Sequence, residues 1–147
     1  MYSVWADGHT GGESETVLGR WLAARGNRED MLIATKTGRH PEFTGLADET
    51  VKASLKASLQ RLQTDRIDLY YAHYDDESIA IADQVRTFHD LVQSGKVTAY
   101  GLSNYSPQRM REFFETARRE GLTAPVAIQP QYSLVFRKEY ELSLIHI

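Results

Sequence analysis

Four short apolar runs, each preceded by a helical pattern, constrain the fold of this chain more than any other feature. The runs begin near residues 31, 67, 97 and 126. A regular alternation of this kind predicts parallel strands that are joined by right-handed helical crossovers. Two α/β architectures share the pattern, the doubly wound sheet and the (β/α)8 barrel.

The helices are predicted from apolar residues at three- and four-residue spacing and from signals at their ends. Val51, Leu55 and Leu59 form one such stripe. Ser106 followed by Pro107 is a typical N-cap with proline at the first helical position. The predicted helices cover residues 14–24, 48–62, 81–92 and 107–120.

The first apolar run, Met31–Lys36, predicts a strand followed by a loop that contains Gly38 and Pro41. The second run predicts a strand with little strict alternation, which is typical of a parallel sheet covered on both faces. Its β-forming residues are Ile67, Leu69, Tyr70 and Tyr71.

His73 follows this second run directly and is itself followed by acidic residues. One interpretation is that His73 only ends a strand and hydrogen-bonds locally. The other is that the strand delivers a titratable ring to a pocket. His89 lies within a helical pattern and is interpreted as a half-exposed helix residue.

Polar residues end all four predicted strands: Lys36, His73, Ser103 with Asn104, and Gln129. A barrel gathers these carboxyl ends on one face, where its active site lies. A doubly wound sheet concentrates its site at one switch point instead, and no Gly-x-Gly-x-x-Gly turn follows any of the strands. We therefore predict an α/β fold, a partial (β/α)8 TIM barrel with about four parallel strands and four helices.

Composition narrows the classes of partner. The chain has no cysteine, which excludes disulfides and thiolate chemistry, and we predict no metal site. A net charge of −3, with both signs mixed along the chain, favours neither nucleic acid nor a membrane surface. No apolar run is long enough to span a membrane and no secretion signal is visible, so we predict a cytoplasmic protein with a small-molecule partner.

Several motifs, in order along residues 2 to about 140, resemble the aldo-keto reductase family. An ordered set is far more specific than any one of its members. The matching segments are Tyr2, Gly12–Gly19, Ala34–Lys36, Ser58–Leu62, Asp65–Tyr70, His73, Leu91–Val97, Gly101–Asn104 and Gln129–Tyr132.

The resemblance implies reduction of an aldehyde or ketone by hydride from NADPH, with a tyrosine as the proton donor. It places Tyr2, Lys36 and His73 in three of the four catalytic positions. An unperturbed tyrosine has a pKa of about 10, and a nearby ammonium lowers that pKa by stabilising the phenolate. Lys36 would supply this charge, and His73 would hydrogen-bond the carbonyl oxygen or the phenol.

The resemblance also implies that Ser103, Asn104 and Gln129 hold the carboxamide of the nicotinamide ring. Hydroxyl and amide side chains offer both the donors and the acceptors that a carboxamide needs. Without the resemblance, Asn104 would be interpreted as a turn residue and Gln129 as a strand terminus.

The resemblance predicts that residues 1–141 are the central part of the barrel. The family's fourth catalytic residue, an aspartate, would precede Met1, and the residues that stack on nicotinamide and grip the cofactor phosphates would follow the fourth strand. Residues 142–147 correspond to the in-frame translation of a common sequencing adapter and are predicted to be a non-native tail. On this interpretation the chain by itself is an inactive fragment.

Two other functions stay open. Some barrels of this family, notably potassium-channel β-subunits, act as cofactor-binding regulatory partners, and the same residues here would then sense a nicotinamide cofactor with little turnover. An unrelated phosphate-binding barrel would not bind NADPH at all. The sequence predicts neither the substrate nor the oligomeric state.

Overall fold

The structure, a computed structural model, describes residues 7–142. Its strands are β1 (Ala34–Thr37), β2 (Arg39–His40), β3 (Phe43–Thr44), β4 (Ile67–Ala72), β5 (Val97–Leu102) and β6 (Ala127–Ile128). Its helices are α1 (Glu13–Arg25), α2 (Asp48–Leu62), α3 (Ile81–Gln93), α4 (Pro107–Glu120) and α5 (Lys138–Leu142). Arg28–Asp30 forms a short 3-10 turn after α1.

The main sheet has four parallel strands in the order β1, β4, β5 and β6. This order follows the chain without reversing within residues 7–142, as in a barrel and unlike a doubly wound sheet. The predicted α/β fold, a partial (β/α)8 TIM barrel, is therefore confirmed.

Aromatic side chains form much of the interface between the sheet and the helices. The rings of Phe88 on α3 and Tyr100 on β5 are stacked with their centroids 5.1 Å apart. Tyr70 and Phe113 extend the cluster on either side, each with its centroid 6.3 Å or less from one of these two rings. Such pairs contribute about 0.5–1.5 kcal/mol each beyond the area they bury. The cluster anchors α3 and α4 on one face of the sheet.

The tyrosines of this core keep their hydroxyl groups hydrogen-bonded, as buried polar groups must. Tyr70 donates to Ser54 on α2 over 3.2 Å, and Tyr100 donates to the carbonyl of Thr123 over 2.6 Å. Burial raises the pKa of Tyr70 to about 12, so this phenol stays protonated at physiological pH.

Helix α1 buries Leu22 and packs Leu18 against the core, and it approaches α2 most closely at the small residue Gly19. Val17 and Trp21 are 67% and 40% exposed, whereas Gly19 is buried. A Cβ atom on Gly19 would lie 2.1 Å from the carbonyl oxygen of Arg61, so the two helix backbones are in direct contact. Only glycine permits this approach.

Three local features differ from the sequence-based expectation. Strand β1 begins at Ala34 rather than Met31, because the backbone N–H of Ile33 donates to the side-chain carboxylate of Asp68 instead of to the backbone of a neighbouring strand. The segment after β1, expected as a loop, contains the antiparallel pair β2 and β3. Helix α5 was not expected. None of the helices in residues 7–142 has the length and apolarity needed to cross a membrane.

Replacing Gly19 by Ala tests the contact between α1 and α2. Helix propensity alone would make this change stabilising by up to about 1 kcal/mol. The close contact with Arg61 should instead lower the free energy of unfolding by about 1–3 kcal/mol, the usual cost of overpacking. Urea unfolding measures the difference, and Arg20→Ala on the exposed face is the control. A more stable Gly19→Ala variant would contradict the contact.

Candidate active site

Strand pairing brings Lys36 and His73 to the carboxyl edge of the sheet. Lys36 on β1 is paired with Tyr71 on β4. The backbone N–H of His73 donates to the carbonyl of Thr37 over 3.0 Å, which extends the pairing one residue beyond β4. Because Tyr70 faces the helices, the alternation of a strand places Tyr71 and His73 on the opposite face.

The next two strand ends are tied to this edge by further hydrogen bonds. The backbone N–H of Ser103 donates to the carbonyl of Ala72 over 3.0 Å, and its hydroxyl donates to the carbonyl of Gln129 over 2.7 Å. The side-chain amide of Asn104 donates to the carbonyl of His73 over 2.9 Å. The predicted residues therefore lie at one edge of the sheet: Lys36 is near the end of β1, and His73, Ser103, Asn104 and Gln129 follow the next three strands. Their chemical roles stay predictions.

Tyr2, the predicted proton donor, lies outside the described residues. His89 is half-buried on α3, and its Nδ1 atom lies 3.0 Å from the hydroxyl of Thr123. It is a helix residue remote from the strand ends, as the sequence indicates. Within residues 7–142, no group of three histidine or acidic side chains could hold a metal ion.

Asn104 adopts a left-handed backbone conformation with φ of 56°. Asparagine tolerates this region better than most residues. The conformation lets its side-chain nitrogen bond both the carbonyl of His73 and the hydroxyl of Ser103, over 2.9 and 3.0 Å. Its amide oxygen accepts no hydrogen bond from the described part of the chain, so that acceptor is available to a ligand.

Lys36 is buried beside the ring of Tyr71, with its ammonium nitrogen 5.5 Å from the ring centroid. A cation at this distance is attracted by the negative face of the ring. Gly101, the partner of Tyr71 on β5, makes the arrangement possible. A Cβ atom there would lie 2.5 Å from the ring of Tyr71. Sequence reasoning missed this pair, although a glycine inside a strand often marks a close approach.

Burial, together with the nearby positive charges of Lys36 and Arg39, lowers the pKa of His73 from 6.5 to about 4. The imidazole is therefore neutral at physiological pH. A neutral ring presents one N–H donor and one acceptor nitrogen.

A buried carboxylate on α1 also connects strand β1 to the helices. Glu15 on α1 accepts a hydrogen bond from the hydroxyl of Thr35 over 2.6 Å and another from the Nε atom of Arg61 over 2.8 Å. Thr35 immediately precedes Lys36. This bridge fixes the position of the strand that carries the lysine relative to α1 and α2.

The loop after His73 is held by an ion pair and a buried glutamine. Arg109 on α4 donates to both carboxylate oxygens of Asp75, over 2.5 and 2.8 Å. Gln84 on α3 donates to the carbonyl of Asp76 over 2.9 Å and accepts a bond from the hydroxyl of Tyr105 over 2.6 Å. Bidentate pairs of this kind fix geometry as well as adding energy. The loop that follows the histidine is thus tied to the helices on both sides.

Comparison with known proteins supplies a second, independent line of observation. The profile described as "Aldo/keto reductase family" matches residues 2–145. Norsolorinic acid reductase B of Aspergillus parasiticus is 36% identical over 134 residues, which cover 84% of this chain and 35% of that protein.

Two further relatives show the same partial overlap. A putative voltage-gated potassium channel subunit beta of Schizosaccharomyces pombe is 34% identical over 146 residues, covering 95% of this chain and 42% of that protein. Aflatoxin B1 aldehyde reductase member 4 of Homo sapiens is 34% identical over 131 residues, covering 88% and 39%. The chain thus spans about a third to two-fifths of the length of these relatives. The matched profile covers nearly every residue of the chain, including all the polar strand ends described above, and the chain therefore belongs to the aldo/keto reductase family.

Proposed function

We propose that the whole protein, meaning the complete polypeptide that contains residues 1–147, reduces an aldehyde or ketone to an alcohol with NADPH. The observation that carries the proposal is the placement of a buried lysine and a neutral histidine at one sheet edge, beside the Ser103 and Asn104 strand end. Membership of the aldo/keto reductase family supports the reaction class.

The residues at this edge fit the carboxamide of a nicotinamide ring. The amide oxygen of Asn104 is an available acceptor, and the exposed side chain of Gln129 makes no hydrogen bond within residues 7–142. Together they offer the acceptor and donor that a primary carboxamide requires. When bound, NADPH supplies the hydride that the carbonyl carbon accepts.

The chain's own residues handle the proton and the orientation of the substrate. Tyr2 gives its phenolic proton to the carbonyl oxygen, and the ammonium of Lys36 lowers the pKa of that phenol by stabilising the phenolate. His73, being neutral, donates an N–H bond to the same oxygen without adding a competing charge. The Asp75–Arg109 pair holds the loop that follows the histidine in place.

A regulatory role is the second candidate. The relative from Schizosaccharomyces pombe is named as a channel subunit, and the same residues could sense a bound cofactor with little turnover. Steady-state reduction of 4-nitrobenzaldehyde by the whole protein, followed as loss of NADPH absorbance, separates the two functions. Sustained turnover supports the reductase. Tight NADPH binding without turnover supports the regulatory subunit.

Replacing Tyr2 by Phe should lower kcat at least about a hundredfold, the usual contribution of a positioned general acid. NADPH binding should stay nearly unchanged, because the phenol acts in proton transfer rather than in holding the cofactor. Stopped-flow kinetics and fluorescence titration measure the two effects. Tyr132→Phe, at an exposed tyrosine, is the matched control. Near-normal turnover of Tyr2→Phe would refute the assignment.

Replacing Asn104 by Ala should weaken NADPH binding by about 1–3 kcal/mol, the cost of leaving a polar partner unsatisfied. Asn104→Gly separates the contribution of the side-chain amide from that of the backbone conformation, because glycine keeps the left-handed conformation and lacks the amide. Both variants should lose affinity in a fluorescence titration. If only the alanine variant does, the residue serves the turn rather than the cofactor.

The lowered pKa of His73 predicts a distinct pH dependence. In the folded protein, the ring nitrogens should show neutral NMR shifts down to about pH 5, because the pKa is about 4 rather than 6.5. Between about pH 4 and pH 6.5 the unfolded chain protonates His73 and the folded chain does not. The stabilising contribution of the neutral ring is therefore fully present above pH 6.5 and is lost as the pH falls towards about 4. An NMR titration midpoint near 6.5 for His73 would contradict the burial of the ring.

A further inference from the structure

Arg39 and Tyr74 form a stacked pair beside the proposed active site. The guanidinium carbon of Arg39 lies 3.8 Å from the centroid of the Tyr74 ring. Tyr74 directly follows His73, and the centroids of these two rings are 5.0 Å apart. The arginine therefore lies one aromatic ring away from the histidine.

The stacked geometry leaves the hydrogen-bonding edge of Arg39 available. A guanidinium uses its planar face in a cation–π contact, while its five N–H donors lie in the plane. Arg39 is exposed and forms no ion pair with any acidic residue in the described part of the chain. The Tyr74 ring thus holds the cation in place without consuming its donors.

A cavity of about 300 Å³ opens at this pair. Gly38, Thr44 and Gly45 contribute to its wall, together with Asp75 and Asp76. Both acidic groups already have partners: Asp75 forms the bidentate pair with Arg109, and Asp76 accepts bonds from the backbone of Leu46 and from Ser78. The hydrogen bond from the Ser78 hydroxyl, aided by two backbone bonds, lowers the pKa of Asp76, so this carboxylate stays charged.

We propose that Arg39 binds a carboxylate on the substrate, so that the protein prefers carbonyl compounds that carry a carboxylate group. This inference rests on the proposed reductase function. Arginine matches a carboxylate with two parallel hydrogen bonds. The cavity is lined by Tyr74, whose ring centroid is 5.0 Å from that of His73, the residue that orients the carbonyl in the proposed function. Asp75 and Asp76 repel any anion in this cavity, but they oppose a singly charged carboxylate less than a doubly charged phosphate, and Arg109 offsets the charge of Asp75.

Two aldehydes of nearly equal size test the inference. 4-Formylbenzoate and 4-nitrobenzaldehyde both carry a planar para substituent, and only the first is charged. In the whole protein, Arg39→Ala should lower the ratio of kcat/KM for 4-formylbenzoate to that for 4-nitrobenzaldehyde about tenfold, mainly through KM. Arg39→Lys should restore part of the ratio, because it keeps the charge and loses the bidentate geometry. Arg20→Ala, on the exposed face of α1, is the matched control.

An unchanged ratio in Arg39→Ala would overturn the inference. A rise in the KM for NADPH with the ratio unchanged would also overturn it, because Arg39 would then serve the cofactor. Calorimetric titration of benzoate separates this inference from the proposed function, since it needs no turnover. If neither aldehyde is reduced while benzoate binding still depends on Arg39, the reductase proposal fails and the carboxylate site stands. Equal benzoate affinity in the unaltered protein and in Arg39→Ala would refute the site.

Discussion

The pairing of β4 between β1 and β5 is the interaction on which the rest of the site depends. Its register places Tyr71 opposite Lys36 on one side and opposite Gly101 on the other. Since side chains alternate along a strand, a shift of one residue would turn Tyr71 and His73 towards the helices. The aromatic cluster around Tyr70 resists such a shift, because the ring and its hydroxyl both have partners on the helix side.

Polar contacts position the strand ends, while apolar burial provides most of the stabilisation of the layers. The Glu15 carboxylate, the Asp75–Arg109 pair and the bond from Tyr105 to the buried Gln84 each join segments distant in sequence. Buried polar groups of this kind destabilise the fold unless every hydrogen-bond partner is present. When all partners are present, the groups specify one geometry. The loops at the carboxyl edge of the sheet are therefore held by specific hydrogen bonds and ion pairs rather than by packing alone.

The order of helices and strands could be predicted from the sequence, because apolar spacing and end signals such as Ser106 with Pro107 are local. The same patterns predicted that the polar strand ends lie at one edge of the sheet, and the structure confirms this position. The β2 and β3 pair was missed because strands of two residues leave no pattern. The contact between Tyr71 and Gly101, and the stack of Arg39 on Tyr74, depend on register and loop path, which single-sequence patterns do not contain.

The bond from the Asn104 side chain to the carbonyl of His73 links two binding positions through one group. In the proposed site, a ligand that donates a hydrogen bond to the amide oxygen of Asn104 restrains the same side chain that bonds the backbone carbonyl of His73. For the proposed function, this shared group couples such a ligand to whatever contacts the His73 ring, and by thermodynamic linkage the coupling is reciprocal. The proposed function therefore implies cooperativity between its two ligands, with the left-handed turn at Asn104 as the coupling element.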